Sequence, residues 1–307
     1  MTQPLLQIEG LTKRFKDRTV VDGITFHIHE GSCAALLGPN GAGKTTTISM
    51  LAGLLQPTSG SIQLLHRGVS VPDRRPYIGY LPQMPIFYPW MTGKEFLRYA
   101  GELAGLTGKE SALKTEEWLE AVGLRDAGKR KIGGYSGGMK QRLGLAQALI
   151  HRPKLLILDE PVSALDPLGR KDVLSLLQRI RHETTILFST HVLHDAEEVC
   201  DEILMIQSGR IALQGNLDKI RREYSEPVIR IEVGADEASR EWLATTSRKA
   251  FVSQAETGRT WAKLTVTDVE EASLELMADA VSHRVMIRKL ESGQSTLEDL
   301  FLKVVNA

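Results

Sequence analysis

Apolar residues in the first part of the chain fall in short runs broken by glycine, proline and polar residues, a pattern typical of strands joined by turns. The runs predict strands at Leu5–Ile8, Thr19–Ile28 and Ala34–Leu37, a helix at Lys44–Leu51 and a strand at Ser61–Leu65. The opening of the chain is therefore expected to be rich in strands.

The spacing of apolar residues becomes helical between Thr92 and His151. Thr92 and Glu95 have the spacing of a capping box, so a helical subdomain is predicted over about residues 92–151. Beyond it, the pattern predicts strands at Leu155–Leu158, Thr185–Phe188 and Glu202–Ile206 and a helix at Leu168–Arg181. Alternating strands and helices favour the α/β class, with a mostly parallel sheet covered on both faces.

The composition changes near residue 224, which divides the chain into a predicted first domain, 1–223, and a second, 224–307. The second domain is predicted to contain, in the order βαββαβ, Val228–Val233, Glu237–Thr246, Phe251–Gln254, Ala262–Val266, Val269–Val281 and Arg284–Leu290. This order is typical of a small ferredoxin-like α+β domain. A last helix, Leu297–Val305, is expected to begin with a capping box of Ser295 and Glu298. Because no catalytic constellation is evident, the domain is interpreted as a regulatory or dimer-stabilising module.

Composition excludes several classes of protein. Basic and acidic residues each number 38 among 307, so the formal net charge is zero and no nucleic-acid partner is expected. Cys33 and Cys200 are far apart and lack neighbouring metal ligands, so a reducing compartment is expected, with neither a disulfide framework nor a zinc site. No run of about 18 apolar residues occurs, so a membrane role is expected to require a partner.

The strongest chemical signal follows the strand Ala34–Leu37 and matches the pattern GxxxxGK[ST]. It comprises Gly38, Pro39, Asn40, Gly41, Ala42, Gly43, Lys44, Thr45 and Thr46. Glycines let backbone amides wrap a phosphate, Lys44 supplies a cation, and the Thr45 hydroxyl is a ligand for magnesium. Kinases, GTPases, motors and transporters share this loop, so alone it predicts only that a nucleoside triphosphate binds.

Two further motifs narrow the choice. The apolar strand Leu155–Leu158 ends in Asp159 and Glu160, which suit a magnesium site and the polarisation of an attacking water. Ahead of an apolar helix stand Tyr135, Ser136, Gly137, Gly138 and Met139. Alone, this segment is typical of an ordinary helix cap, although its free amides also suit a phosphate.

Together, these motifs resemble the nucleotide-binding subunit of an ATP-binding cassette (ABC) transporter, over roughly residues 5 to 220. The resemblance implies a P-loop cassette with a mixed sheet core and a helical subdomain. It also implies a head-to-tail dimer, formed with a second copy or a paralogous cassette subunit. In that dimer, the signature segment of one copy closes over ATP held by the phosphate loop of the other, and a permease on a separate chain is driven.

The resemblance assigns roles residue by residue. ATP contacts are implied for Phe15, stacked on adenine, for Gly38 to Thr46, for Tyr135 to Met139, and for Asp166 in the inter-subunit loop Ser163–Asp166. Mg²⁺ ligands are implied to be Thr45, Gln83 and Asp159. Catalytic roles are implied for Lys44, for Gln83, for Glu160 as general base and for His191 as the switch histidine. Taken alone, Gln83 would be an ordinary loop amide and His191 a strand-end histidine, and the order and context of the motifs reverse both interpretations. A lone aromatic such as Phe15 would more often be a core residue.

Tyr135 and Met139 depart from the commonest signature, which begins with leucine and ends with glutamine. This variant, with the segment Leu297–Phe301, resembles an exporter subgroup with separate permeases. We therefore predict a cytoplasmic ATPase, peripheral on the inner face of the cell membrane through its permease. The apolar loop Pro82–Thr92 is a candidate docking segment, with packing inside the helical subdomain as the alternative.

Two other functions are kept as alternatives. One is a soluble cassette ATPase acting on ribosomes or nucleic acid, which the single uninterrupted cassette and the balanced charge disfavour. The other is a non-hydrolysing nucleotide switch, which the presence of both Glu160 and His191 disfavours.

Overall fold

A computed structural model describes residues 4–163, 165–224 and 226–306 of the chain. Ala164, in the predicted inter-subunit loop, lies outside the described residues. The chain divides into two compact units, the first ending at Leu217 and the second beginning at Asp218, just before the boundary predicted from the sequence.

The first unit contains sixteen named elements within the described residues. In chain order they are β1 (Pro4–Phe15), β2 (Arg18–His29), β3 (Cys33–Leu37), α1 (Lys44–Leu51), β4 (Ser59–His66), β5 (Val69–Ser70), β6 (Ile78–Leu81), α2 (Gly93–Leu103), α3 (Gly108–Ala121), α4 (Gly137–Leu149), β7 (Leu155–Asp159), α5 (Pro167–Ile180), β8 (Thr185–Thr190), α6 (Leu193–Val199), β9 (Glu202–Gln207) and β10 (Arg210–Asn216). Every predicted strand and helix of this part is present.

A six-stranded sheet in the order β10-β9-β3-β8-β7-β6 forms the centre of the first unit. The five strands from β9 to β6 are parallel to one another. Strand β10, at one edge, pairs antiparallel with β9. Strands β3, β7 and β8 are buried along their whole length, which explains their continuous apolar runs. The prediction of a mostly parallel sheet is confirmed for this layer.

A second sheet, β2-β1-β4-β5, is antiparallel, so the unit has a mixed sheet core. One apolar cluster joins the two sheets through α1, whose Ile48, Met50 and Leu51 are buried in it. Burial of this cluster fixes the start of α1, and therefore the loop that precedes it, against both sheets.

Helices α2, α3 and α4, which lie in the range predicted to be helical, pack against one another. The capping box at Thr92 and Glu95 is confirmed: each side chain accepts the other residue's backbone N–H. A second box, which the sequence analysis did not predict, joins Thr107 and Glu110 at the start of α3. Both boxes fix where these helices begin.

The second unit contains α7, which starts at the boundary, and a βαββαβ domain with a final helix. The elements are α7 (Leu217–Tyr224), β11 (Pro227–Val233), α8 (Glu237–Thr246), β12 (Val252–Thr257), β13 (Trp261–Val266), α9 (Val269–Ser282), β14 (Ile287–Gln294) and α10 (Leu297–Asn306). The antiparallel sheet β12-β13-β11-β14 has the first and third strands at its centre, as a ferredoxin-like fold requires. Its core includes Trp242, Leu264 and Leu276.

Two expectations for the second unit are wrong in detail. The last strand begins at Ile287 rather than at Arg284, because Arg284 ends the turn after α9 in a left-handed conformation with φ of 57°. The cap of α10 is formed by Thr296 and Asp299, whose side chains each accept the other residue's backbone N–H. Ser295 is engaged elsewhere, since its hydroxyl accepts the N–H of Glu226.

Candidate functional site

The phosphate loop lies between the buried strand β3 and the helix α1. Two of its glycines have no room for a side chain: a Cβ at Gly38 would stand 2.3 Å from the carbonyl oxygen of Ile206, and one at Gly43 would stand 2.8 Å from that of Val20. Gly43 also has a φ of 108°, which an L-residue rarely adopts. The first backbone N–H groups of a helix have no acceptor within the helix, so the start of α1 suits an anion.

Lys44 is the first residue of α1 and is only 5% exposed. Its Nζ donates to the carbonyl oxygens of Gly38 at 2.8 Å and Pro39 at 3.2 Å, so the ammonium is held across the loop. Burial lowers the pKa of Lys44, and the nearby charges of Glu160 and Asp159 oppose that shift. A buried cation of this kind is stabilised by an additional anion such as a phosphate.

Asp159 ends β7 and is 1% exposed. Its Oδ1 accepts a hydrogen bond from the Ser189 hydroxyl at 2.6 Å and one from the Thr45 hydroxyl at 3.3 Å. Burial and the charge of Asp159 raise the pKa of Tyr80, on the neighbouring strand β6, to about 12. The oxygens of Thr45 and Asp159 are hard donors side by side, a set that fits Mg²⁺ with water and phosphate as its other ligands.

Glu160 is the centre of the polar contacts. Its Oε2 accepts from Gln83 Nε2 at 3.1 Å, and its Oε1 lies 3.3 Å from His191 Nδ1 and 3.6 Å from Lys44 Nζ. Its φ of 46° is unusual for a residue other than glycine and costs about 1–3 kcal/mol. Its carboxylate lies on the side of the phosphate loop, since Lys44 Nζ is among its neighbours.

The topology explains why these residues meet. Gln83 follows β6, Asp159 ends β7 and Glu160 follows it, His191 follows β8, and the phosphate loop follows β3. These four strands are neighbours in one parallel sheet, and the carboxyl ends of parallel strands form the usual ligand-binding edge.

The signature segment lies at the start of α4. Ser136 is the N-cap residue, and its Oγ accepts from the Met139 N–H at 3.2 Å. Tyr135 is buried, its hydroxyl donates to the Ala127 carbonyl at 2.7 Å, and it packs against Gly93. Tyr135 therefore anchors the segment to the helical subdomain, and any nucleotide contact from it would have to come from the backbone.

Two predicted residues stand apart from this group. Asp166 is the N-cap of α5, where its Oδ1 accepts from the Gly169 N–H at 3.2 Å. Phe15 ends β1 and is 47% exposed, with Lys13 Nζ 5.0 Å from its ring centroid. An exposed aromatic face of this kind is available for stacking.

Ser189 also belongs to the site, although no motif in the sequence predicts it. Its hydroxyl donates to Asp159 and accepts the Glu160 N–H at 3.0 Å, so one side chain positions both acids. The sequence places Ser189 at the end of a predicted strand, two residues before His191. A serine at the end of a strand belongs to no recognised motif, so this position alone does not predict a function.

Comparison with known proteins agrees with this geometry. Residues 21–163 match the family model described as ABC transporter, and residues 215–305 match one described as the C-terminal domain of the DrrA1-3-like ATP-binding proteins. The chain is 48% identical to the uncharacterized ABC transporter ATP-binding protein YxlF of Bacillus subtilis, over 99% of this chain and 100% of YxlF. It is an ABC transporter ATP-binding protein.

Other ABC proteins extend this comparison. The Nod factor export ATP-binding protein I of Ralstonia nicotianae is 34% identical over 98% of this chain and 94% of its own. A solved ATP binding subunit of an ABC transporter superposes with a TM-score of 0.65 at 33% identity, over 72% of this chain and 93% of its own. The chain is thus an ABC-type ATPase subunit that binds ATP, and the alternatives on the ribosome, on nucleic acid and as a non-hydrolysing switch are not favoured. No helix in the described part of the chain is both long and apolar enough to span a membrane.

Proposed function

We propose that this ABC subunit hydrolyses ATP at two shared sites in a head-to-tail dimer, made with a second copy or a paralogous cassette subunit. In each site, Ser136–Gly138 of one copy faces ATP on the Gly38–Thr46 loop of the other. The exposure of Ser136 and Gly137 supports this arrangement, because α4 presents its free amides to solvent. Asp166, in the loop before α5, would lie near the same junction.

Within each site, different residues bind the phosphates, the adenine and the metal ion. The amides of the phosphate loop and Lys44 bind the phosphates, and Phe15 stacks on the adenine. Mg²⁺, held by Thr45, Asp159 and Gln83, would supply positive charge against the phosphate oxygens. These roles complete the binding half of the site.

The contacts around Glu160 are the main support for hydrolysis at this site. The carboxylate is fixed between Gln83, His191 and Lys44, at the edge where the outer phosphate would lie. From there Glu160 orients a water and accepts its proton, while His191 positions the carboxylate and Lys44 offsets the phosphate charge.

Mixing two inactive variants tests the shared site. Lys44→Ala removes the phosphate-loop cation, and Gly137→Asp places a negative charge in the signature segment. A Cβ at Gly137 meets nothing within 4 Å, so this variant is expected to fold. Each variant alone should be inactive, but a heterodimer contains one site with an intact loop and an intact signature. We expect the mixture to recover roughly a quarter of wild-type ATPase activity.

Activity that stays at the level of the separate variants, although crosslinking shows that heterodimers form, would contradict the shared site. The matched control is Gly134→Asp, at another exposed glycine where a Cβ meets nothing within 4 Å. This variant should keep wild-type activity, because Gly134 lies outside the signature segment.

We further propose that the dimer drives a separate membrane permease, which docks beside Gln83. Support comes from a cavity of about 600 Å³ between the Pro82–Thr92 loop and α2. Its lining includes Ile86, Tyr88 and Tyr99, which are 93%, 45% and 42% exposed. Apolar surface of this kind suits an apolar partner segment, and the loop would transmit docking to the Gln83–Glu160 contact.

Direction and location complete the proposal. The Tyr135–Met139 signature and the Leu297–Phe301 segment resemble the exporter subgroup, and a relative named for Nod factor export covers nearly the whole chain. We therefore assign the chain to export, at the inner face of the cell membrane and attached there through its permease.

A further inference from the structure

The two cysteines of the chain, distant in sequence, lie side by side in the first unit. Cys33 opens β3 and Cys200 follows α6, and their Sγ atoms are 3.4 Å apart although 167 positions separate them along the chain. Cys33 is fully buried and Cys200 is 7% exposed. The pair is therefore shielded from bulk solvent, with Cys200 the more accessible member.

Hydrogen bonds and an ion pair hold the backbone near Cys33 close to the backbone near Cys200. The Cys33 N–H donates to Asp201 Oδ2 at 3.3 Å, and the Asp201 N–H donates to the Cys33 carbonyl at 2.9 Å. Arg181 adds an ion pair to Asp201 at 2.6 Å and donates to the Val199 carbonyl at 3.1 Å. A disulfide needs its sulfurs about 1.4 Å closer than they are here, a change that side-chain rotation can supply without separating the backbones.

We infer that Cys33 and Cys200 are a modification site, at which a peroxide forms an intrachain disulfide. The Cys200 thiolate attacks the peroxide oxygen and becomes a sulfenic acid, releasing one water after proton transfer. The Cys33 sulfur then attacks the sulfenic sulfur, and the hydroxyl leaves with a proton as the second water. Two thiols lose two electrons, and hydrogen peroxide is reduced to two waters.

Because the Cys200 thiol is weakly reactive, we expect the disulfide to form only when the oxidant persists. Burial raises the pKa of the Cys200 thiol, with the nearby Cys33 and Asp201 adding to the shift and Arg181 opposing it. Little thiolate is present near neutral pH, so oxidation is slow. In a reducing compartment the dithiol is the resting form, and reduction reverses the change.

The position of the bond determines its effect. Cys33 is the first residue of β3, and the phosphate loop begins directly after the last residue of that strand. At ~3.3 Å per residue, the start of the loop is about 16 Å from Cys33. The disulfide thus lies at the amino ends of the parallel strands, whereas the candidate site lies at their carboxyl ends. It closes one covalent ring around the segment that carries the phosphate loop, Gln83, the signature, Glu160 and His191. We expect a large gain in stability with little change in catalysis.

The test uses the full-length wild-type protein, reduced and then exposed to hydrogen peroxide without denaturant. After an acid quench, alkylation in denaturant and mass spectrometry should show a monomer lacking two hydrogen atoms and a peptide joining Cys33 to Cys200. Dithiothreitol should reverse both. The oxidised protein should unfold about 5 °C or more above the reduced form, with ATPase activity unchanged within about twofold.

Three results would overturn the inference: Cys200 oxidised while Cys33 stays alkylatable, a disulfide between two chains, or a bond that forms only in denaturant. Cys33→Ser and Cys200→Ser are the matched controls, and neither should lose two hydrogen atoms or gain stability with peroxide. Because the wild-type protein gives the answer directly, the test stands even if a serine variant folds poorly.

Discussion

Glu160 combines a strained backbone with a carboxylate held by three other side chains, and its exchange for glutamine tests its role. Glu160→Gln keeps the size of the side chain but removes the proton acceptor. Turnover in a purified ATPase assay should fall by roughly 10² to 10⁴, while ATP affinity is kept. Glu183→Gln, at an exposed glutamate, should stay within about twofold of wild type. Wild-type turnover in Glu160→Gln would remove Glu160 from the mechanism.

Ser189 makes a different prediction, because it touches both acids. Ser189→Ala leaves the buried Glu160 N–H without its acceptor and removes a donor from Asp159. We expect a loss of about 1–3 kcal/mol in unfolding free energy, measured by urea titration, and a lower kcat. Ser208→Ala, in the turn after β9, should change neither quantity. An unchanged kcat in Ser189→Ala would mean that the acids are positioned without this hydroxyl.

Among the elements of the second unit, α10 is tied at its start to the sheet by the carboxylate of Asp299. Asp299 caps the helix through Thr296 and pairs with Lys263 at 2.5 Å and Arg230 at 2.8 Å. Burial opposes ionisation of Asp299, but hydrogen bonds from Lys263 and Thr296 outweigh it and hold the pKa below its ordinary value of 3.8. A lowered folded pKa means that this carboxylate stabilises the fold above about pH 4 and that the stabilisation is lost as pH falls through the folded pKa.

Asp299→Asn should therefore destabilise α10 by about 1–3 kcal/mol at pH 7, measured by hydrogen exchange of its amides. The difference from wild type should shrink below pH 4, where Asp299 becomes protonated. Glu298→Gln is the matched control and also tests the cap predicted from the sequence, since an effect as large as that of Asp299→Asn would favour Ser295 and Glu298. A difference that does not change with pH would show that the charge is not what holds the helix.

For the whole molecule, strong local patterns made the fold predictable. The apolar runs of β3, β7 and β8 were visible because these strands are buried on both faces, and the βαββαβ order identified the second unit. Strand β10 was missed because it is a half-exposed edge strand with polar interruptions. The cap of α10 was misplaced because Ser295–Glu298 and Thr296–Asp299 both fit the capping pattern, and only the contact between Ser295 and Glu226 separates them.

The candidate site was predictable where spacing encodes chemistry and not where folding alone brings residues together. The phosphate loop and the acids after β7 have fixed neighbours in the sequence. In contrast, the contact of Gln83 with Glu160 spans 77 positions and that of Cys33 with Cys200 spans 167. Pairing of strands in the sheet creates both contacts, so no local pattern reports them. The docking surface and the dimer stay predictions, because each needs a second chain.

A separate membrane permease is the partner that we propose this ATPase drives. The most direct measurement is affinity purification of Glu160→Gln protein from detergent-solubilised native membranes with ATP and Mg²⁺, followed by mass spectrometry and quantification. We predict one multispanning membrane protein in near-equal amount, lost when the exposed Trp90 is also changed to alanine and kept when Leu113, exposed on α3, is changed instead. Ribosomal proteins or nucleic acid in place of a membrane protein would contradict coupling to a permease.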